Sequence, residues 1–447
     1  MTDRSRLASL RAAEEDRFSA LHPRSAALAE QARGPLLAGV PMPWMTRWPG
    51  RFPVFVESAS GARLTDVDGV EYVDLCLGDT GAMTGHALPQ VTAALTARAE
   101  RGITTMLPSA DAIWVAEELG RRFGLPTWQL AMSATDANRF VLRFARYLTG
   151  RPRIAVMDWC YHGTVDETLA VLAGDQVVPR PGALGPQVAV SETTAVVPFN
   201  DADALERRLA QGDVACLLME PALTNIGIVL PDPGYLEAVR EITRRHDVLL
   251  VIDETHTLCA GPGGATAAWG LEPDLLVVGK PIGGGIPCAA YGMTAEVADR
   301  LSGPMLGHEI DVAGVGGTLT GNALALAAIR ATLSSCLREE DFALAVPLAE
   351  RFAAGVAGVI ADAGLPWHVQ QLGCRAEYWF CPPPRDGAAA AAAVDEELEG
   401  FLHLWCLNRG VLLTPFHNMA LFSPHHSEAD VDRHTQVFGE AVTALVG

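Results

Sequence analysis

Lysine is nearly absent from this chain of 447 residues. Lys and Arg together number 33, and all but one of them are Arg; the exception is Lys280. Positive charge as a whole is scarce, since 53 acidic residues leave a formal net charge of −20. That balance argues against nucleic acid or an acidic membrane surface as a partner. Cysteine is present but unpatterned. The nine residues Cys76, Cys160, Cys216, Cys259, Cys288, Cys336, Cys374, Cys381 and Cys406 are odd in number and form no C-x-x-C. This reads as a reduced, cytoplasmic protein with no structural metal site. A run of about 18 apolar residues is also missing, and the charged N-terminal stretch MTDRSRLASLRAAEEDRFSALHP has no apolar signal core, so no membrane span is expected.

The lone lysine is itself informative. A coding bias towards Arg erodes lysines wherever charge alone matters. A position that keeps its lysine is either a leftover on the surface or one that needs a primary amine, because guanidinium never loses its proton and cannot attack a carbonyl; the second reading is preferred here. Lys280 sits in DLLVVGKPIGGGIPCAAYG, residues 274–292. The stretch is not a P-loop, because Pro281 follows the lysine where Ser or Thr would be required.

Length predicts two or three domains. Residues 4–33 read as helix, and the prolines of 39–55 forbid one there. Residues 53–78 read as a small antiparallel sheet with Asp68-Gly69 as a hairpin turn. From about 87 to 330, apolar runs alternate with helical stretches: WQLAM (128–132), RIAVMD (153–158), VACLLME (214–220), VLLVIDE (248–254) and DLLVVG (274–279). This is an α/β pattern, a mostly parallel sheet covered by helices. A smaller α+β domain is expected from both chain ends. The boundaries read as 1–80 for the N-terminal helix and small-domain segment, 81–330 for the large domain and 331–447 for the C-terminal small domain. Residues 409–416 read as a strand, and a closing helix is capped by Ser427 with Asp430.

Ligands of such sheets bind at the carboxyl ends of the strands. SATDAN, DWCYHG, EPALTN, DETH and GKPIGGG each follow one of the five runs. Asp253 ends a buried strand, where a carboxylate needs a cationic partner. A protonated pyridine nitrogen and a structural Arg or helix cap are equally good readings of it. Ser133, Ala134 and Thr135 open a helix, either as an ordinary cap or as a phosphate seat. Tyr161 is either core or a ring stacked on a flat cofactor. Together, an amine, an acid, an aromatic and a helix end specify one cofactor, pyridoxal 5'-phosphate (PLP).

Longer segments carry a resemblance. LTDVDGVEYVDL (64–75), TGHALPQV (84–91), ARYLTGR (145–151), CYHG (160–163), EPALTNIGIVLPDPGYL (220–236), IDE (252–254), GLEPDLLVVGKPIGGGIPCAAYG (270–292) and GGTLTGNALALAA (316–328) occur in the order and spacing of one family. From about Pro53 onward the chain resembles the class III, fold type I PLP-dependent aminotransferases, and among them looks most like glutamate-1-semialdehyde aminomutase and its aminotransferase relatives. The resemblance implies that Lys280 holds PLP as a Schiff base and later shuttles a proton. It implies that Asp253 pairs with the pyridine nitrogen, that Tyr161 stacks on the ring beside His162, and that Ser133, Ala134 and Thr135 bind the phosphate. Glu220 and Asn225 are implied to lie beside cofactor and substrate. Thr318 is implied to reach the phosphate of a neighbouring subunit, making the protein a homodimer with shared sites.

The chain departs from that pattern in places. Ala134 stands where relatives carry Gly. Thr255 puts a hydroxyl where Val packs on the ring. His256, where relatives carry Gln or Met, is placed to hydrogen-bond the phenolic oxygen. The aminomutase's carboxylate-binding Arg in P-V-R is replaced by PWMTR, with Trp44 or Met45 near its place and Arg47 shifted. Trp44, Arg47 and Arg375 are the candidate substrate residues. These differences favour an aminotransferase acting on an amino acid or amine and an oxo acid, with an aminomutase or amino-acid racemase as the alternative.

Overall fold

The computed structural model describes residues 3–186 and 188–447. Two compact units emerge. One comprises residues 89–339 and 384–392; the other comprises 1–88, 340–383 and 393–447.

The first of these is built on a seven-stranded sheet. Its strands in chain order are β1 (Thr127–Ala131), β2 (Arg153–Met157), β3 (Thr194–Val197), β4 (Val214–Met219), β5 (Leu249–Asp253), β6 (Leu275–Val278) and β7 (Ala289–Met293). Their spatial order is β1-β7-β6-β5-β4-β2-β3. The run from β6 to β3 is parallel throughout, and β7 alone runs against its neighbours β1 and β6. All residues of β3, β4, β6 and β7 are buried. Burial on both faces explains why β4 and β6 read as continuous apolar runs rather than alternating ones. Burying each Val, Leu or Ile here contributes about 1.5–3 kcal/mol. Five of the strands lie where the apolar runs predict them. β3 and β7 were not foreseen.

Ion pairs pin the strand starts to the helices. Arg240, on helix Tyr235–Arg245, grips Asp274 with two bonds of 2.8 Å, and Asp274 also accepts from the Leu250 N–H at 2.7 Å. β5 and β6 are thereby held in register, with Asp253 opposite Val277. The short helix Gly387–Ala391 belongs to this unit, and Gly387 leaves no room for a Cβ against the Asp158 carbonyl.

The other unit carries two sheets. Strands Val56–Ser60, Arg63–Asp66 and Glu71–Asp74 form an antiparallel meander, and Val411–Leu412 adds in parallel. His368–Leu372, Arg375–Trp379 and Met419–Leu421 form an antiparallel trio. The N-terminal helical stretch is broken in two, Arg4–Leu21 and Pro23–Ala32, because Pro23 lacks the N–H that would continue the ladder. Asp68 of the predicted hairpin turn caps the second helix by accepting from the N–H groups of Arg24 and Ser25 at 2.6 and 2.9 Å. The prolines of 39–55 leave only short 3-10 turns, Leu37–Gly39 and Pro43–Arg47. Ser427 and Asp430 form the reciprocal capping box of the closing helix Glu428–Val446.

One helix, Glu339–Asp362, is long and apolar enough to cross a membrane by length and composition. It buries Phe342, Leu348, Phe352, Val356 and Ile360 in its own unit, and its Arg351 is fork-paired with Asp432 at 2.7 and 2.9 Å.

Candidate active site

Asp253 ends β5 fully enclosed, 3% exposed. Its Oδ2 accepts from Asn138 Nδ2 and from His162 Nδ1, both at 2.9 Å, and its Oδ1 accepts from the Thr255 N–H at 3.0 Å. Burial alone would raise its pKa. The hydrogen bond and charge of His162, with help from Thr255 and Asn138, outweigh burial and hold it at about 2. His162 responds in kind. Burial opposes its charge, but the neighbouring Cys160 sulfur and the Asp253 carboxylate raise it well above the ordinary imidazole range. The partner that the sequence left unidentified beside Asp253 is, in the protein itself, the ring of His162.

Asn138 is a site residue that sequence reasoning missed. It lies on the helix Ala134–Thr149, wholly buried, and its amide donates both to Asp253 and to the His162 carbonyl at 3.1 Å. Its chain separation from Asp253 hides that role from any local pattern.

The same helix opens at Ser133. The Ser133 Oγ accepts from the Asp136 N–H at 3.2 Å and donates to its carboxylate at 3.0 Å. The N–H groups of Ala134 and Thr135 precede any intrahelical acceptor. Two glycine-bearing loops crowd this end. A Cβ on Gly163, whose φ is +81°, would fall 2.1 Å from Thr135 Oγ1, and one on Gly279 would fall 3.0 Å from the Ala134 Cβ. Thr135 Oγ1 also accepts from the Thr164 N–H at 3.0 Å. Thr135 thus fastens the loop that carries Tyr161 and His162, while Ala134 abuts the residue before Lys280.

Lys280 follows β6 in a left-handed conformation, φ 42°, which few non-glycine residues adopt. Its Nζ lies 2.9 Å from His256 Nε2. Tyr161 is half-buried in the loop after β2. Glu220, at the end of β4, is buried and accepts from the Thr224 hydroxyl; Asn225 Nδ2 donates to the Trp159 carbonyl at 3.2 Å. Glu254, next to Asp253, turns away to accept from the Thr257 hydroxyl at 2.6 Å and from the Ala265 N–H at 3.1 Å, a structural role. Thr318 lies in an exposed turn.

Trp44, Arg47 and Arg375 belong to the other unit. Trp44 packs edge-on to Phe416, with ring centroids 5.4 Å apart. Arg47 is exposed and near enough to Glu399 to oppose the rise of its pKa. Arg375 is 1% exposed, with Nη2 2.9 Å from Glu377 Oε2, and Glu377 also faces His417 at 3.2 Å.

The family model of class III aminotransferases matches residues 44–353. The chain belongs to that family. Glutamate-1-semialdehyde 2,1-aminomutase of Desulfitobacterium hafniense is 34% identical over 419 residues, covering 92% of this chain and 95% of that protein. The protein of the same name from Sorangium cellulosum is 36% identical, with 94% and 97% covered. A crystal structure of a glutamate-1-semialdehyde-aminomutase from Pseudomonas aeruginosa superposes with a TM-score of 0.97 at 48% identity, over 99% of both chains. A lysine-to-alanine variant of it was solved in complex with PMP. An omega-transaminase from Sphaerobacter thermophilus superposes at 0.85 with 29% identity, over 95% of this chain and 98% of its own.

The cofactor of this family member is PLP, and the residues present fit it. Asp253 is an anion with three acceptor bonds, which leaves a lone pair on Oδ1 for a ring N–H. The hydroxyl of buried Thr255 and Nε2 of His162 are orphaned polar atoms beside it. Buried polar atoms without a partner are rare, and a ligand is one thing that satisfies them. The helix start at Ala134 suits a phosphate.

Proposed function

We propose that this enzyme moves an amino group between adjacent carbons of one small amino aldehyde, as an aminomutase of the glutamate-1-semialdehyde type. The observation that carries this is the full-length similarity to the Pseudomonas aeruginosa aminomutase, 48% identity with a TM-score of 0.97. Bound PLP supplies an aldehyde that captures amines and a ring that takes up the electron pair when a proton leaves the adjacent carbon. The chain's own residues do the rest. Lys280 provides the amine that anchors the aldehyde and, once released, carries a proton at Nζ. Asp253, kept ionised by His162 and Asn138, holds the ring nitrogen protonated. Ser133, Ala134 and Thr135 hold the phosphate, Tyr161 covers a ring face, and Glu220 and Asn225 line the site. The assembly read here is a homodimer, with the exposed Thr318 completing the phosphate site of its partner.

A second reading, an aminotransferase between an amine donor and an oxo acid, draws on one observation. The 3-10 turn Pro43–Arg47 carries Trp44 and Met45 where the aminomutase pattern has its carboxylate-binding Arg, and the Trp44 ring packs on Phe416. The experiment is a single-substrate assay. Holoenzyme is given glutamate-1-semialdehyde alone, and the amino-shifted isomer is sought by mass and chromatography. Isomer formed without added oxo acid supports the aminomutase. Turnover only when an oxo acid is present assigns the aminotransferase.

A further inference from the structure

Lys280 and His256 occupy matched places. β5 and β6 pair with Asp253 opposite Val277. His256 lies three residues beyond the first and Lys280 three residues beyond the second, so the two side chains leave neighbouring strand ends. The left-handed backbone at Lys280 sends Nζ back across the sheet edge, to 2.9 Å from His256 Nε2. An ammonium has only hydrogens to offer, so towards a charged Lys280 the imidazole Nε2 must present its lone pair.

We propose that His256 is the proton acceptor for Lys280, an inference that rests on the PLP reading of this site. Lysine is a nucleophile only as the free amine, so an ammonium at Nζ has to give up a proton before it can attack. Nε2 takes one proton from the Nζ ammonium. The amine lone pair so exposed forms the carbon–nitrogen bond with the aldehyde carbon. The two remaining N–H hydrogens and the carbonyl oxygen depart as water, which closes the balance. A Gln or Met at this position has no group that performs this step, because neither binds a proton at neutral pH.

The lysine count makes the test clean. The chain has one lysine, so a borohydride-fixed pyridoxyl group maps either to Lys280 or to the N-terminal amine, and peptide mass separates the two. Full-length enzyme is converted to its amine-cofactor form, dialysed and mixed with PLP. Capture is followed by absorbance and by borohydride trapping. His256→Gln is expected to slow capture by about 100-fold while affinity for the amine form of the cofactor, which makes no covalent bond, stays within about threefold. Free imidazole is expected to restore capture to His256→Gly by about tenfold or more. Capture by His256→Gln at the wild-type rate overturns the proposal. So does an affinity for the amine form that falls as far as the rate, or a His256→Gly variant that folds but ignores imidazole. If the Gly variant does not fold, the Gln variant decides. Should the wild type itself form no adduct at Lys280, the PLP reading fails rather than this one.

Discussion

Asn138 donates from one amide group to two acceptors, Asp253 Oδ2 and the His162 carbonyl. Truncating it removes a partner from a buried carboxylate and from a buried carbonyl together. Asn138→Ala is therefore expected to destabilise the protein by about 1–3 kcal/mol, read in a denaturant melt, and to loosen PLP, read by dialysis. Thr255→Val provides the contrast. It removes a buried hydroxyl that has no hydrogen-bond partner among the described residues, so the cofactor-free chain should be no less stable than the wild type. Any loss that appears only on PLP binding then belongs to a contact with the cofactor. These two residues also mark how far a sequence can be read. Lys280 was legible from composition, and Asp253 from its place at the end of an apolar run. Asn138 was not, because its meaning lies in a partner 115 residues away. The His256 contact with Lys280 was not either, because it follows from strand register.

Among the elements, the helix Ala134–Thr149 contributes Ala134, Thr135 and Asn138 to the candidate site. Ser133→Ala removes its cap and is expected to cost about 1 kcal/mol, with Ser133→Gly milder, as measured by thermal melting. In the other unit, helix Glu396–Leu407 holds Glu399 half-buried. Burial is the main cause that lifts its pKa to about 7, with Glu377 and Glu396 adding and His417 and Arg47 opposing. A carboxylate raised in the folded state favours folding while protonated. Its contribution is whole below the unfolded value near 4.5 and is lost as pH climbs through about 7. Glu399→Gln should thus melt above the wild type at pH 8 and level with it near pH 4.5. Legibility at this scale did not follow burial, since the partly buried β1 was found while the fully buried β3 and β7 were not. Strands whose ends carry chemistry were found from their apolar runs. β3 and β7 were not, since TAVV is only four residues long and the segment before β7 is broken by Gly and Pro. The reversal of β7 leaves no trace in local pattern at all.

For the molecule as a whole, a surface whose cations are arginines has a practical reading. Amine-directed reagents should modify the folded chain at Lys280 and the N-terminal amine only, and bound PLP should protect Lys280. Intact-mass analysis after acylation checks this. Two adducts on the cofactor-free chain and one on the holoenzyme are expected.

The helix from Ala134 has one more effect. Its first residues offer N–H groups that have no intrahelical acceptor. Asn138 sits four positions on, about 6 Å along the axis, and fastens to Asp253. A helix transmits displacement along its length with little give. Under the proposed function, phosphate anchorage at the helix start and the orientation of Asp253 through Asn138 would depend on one rigid element. A cofactor analogue without its phosphate is then expected to lose more than an ionic contact, because the helix that carries Asn138 to Asp253 would lack its anchor.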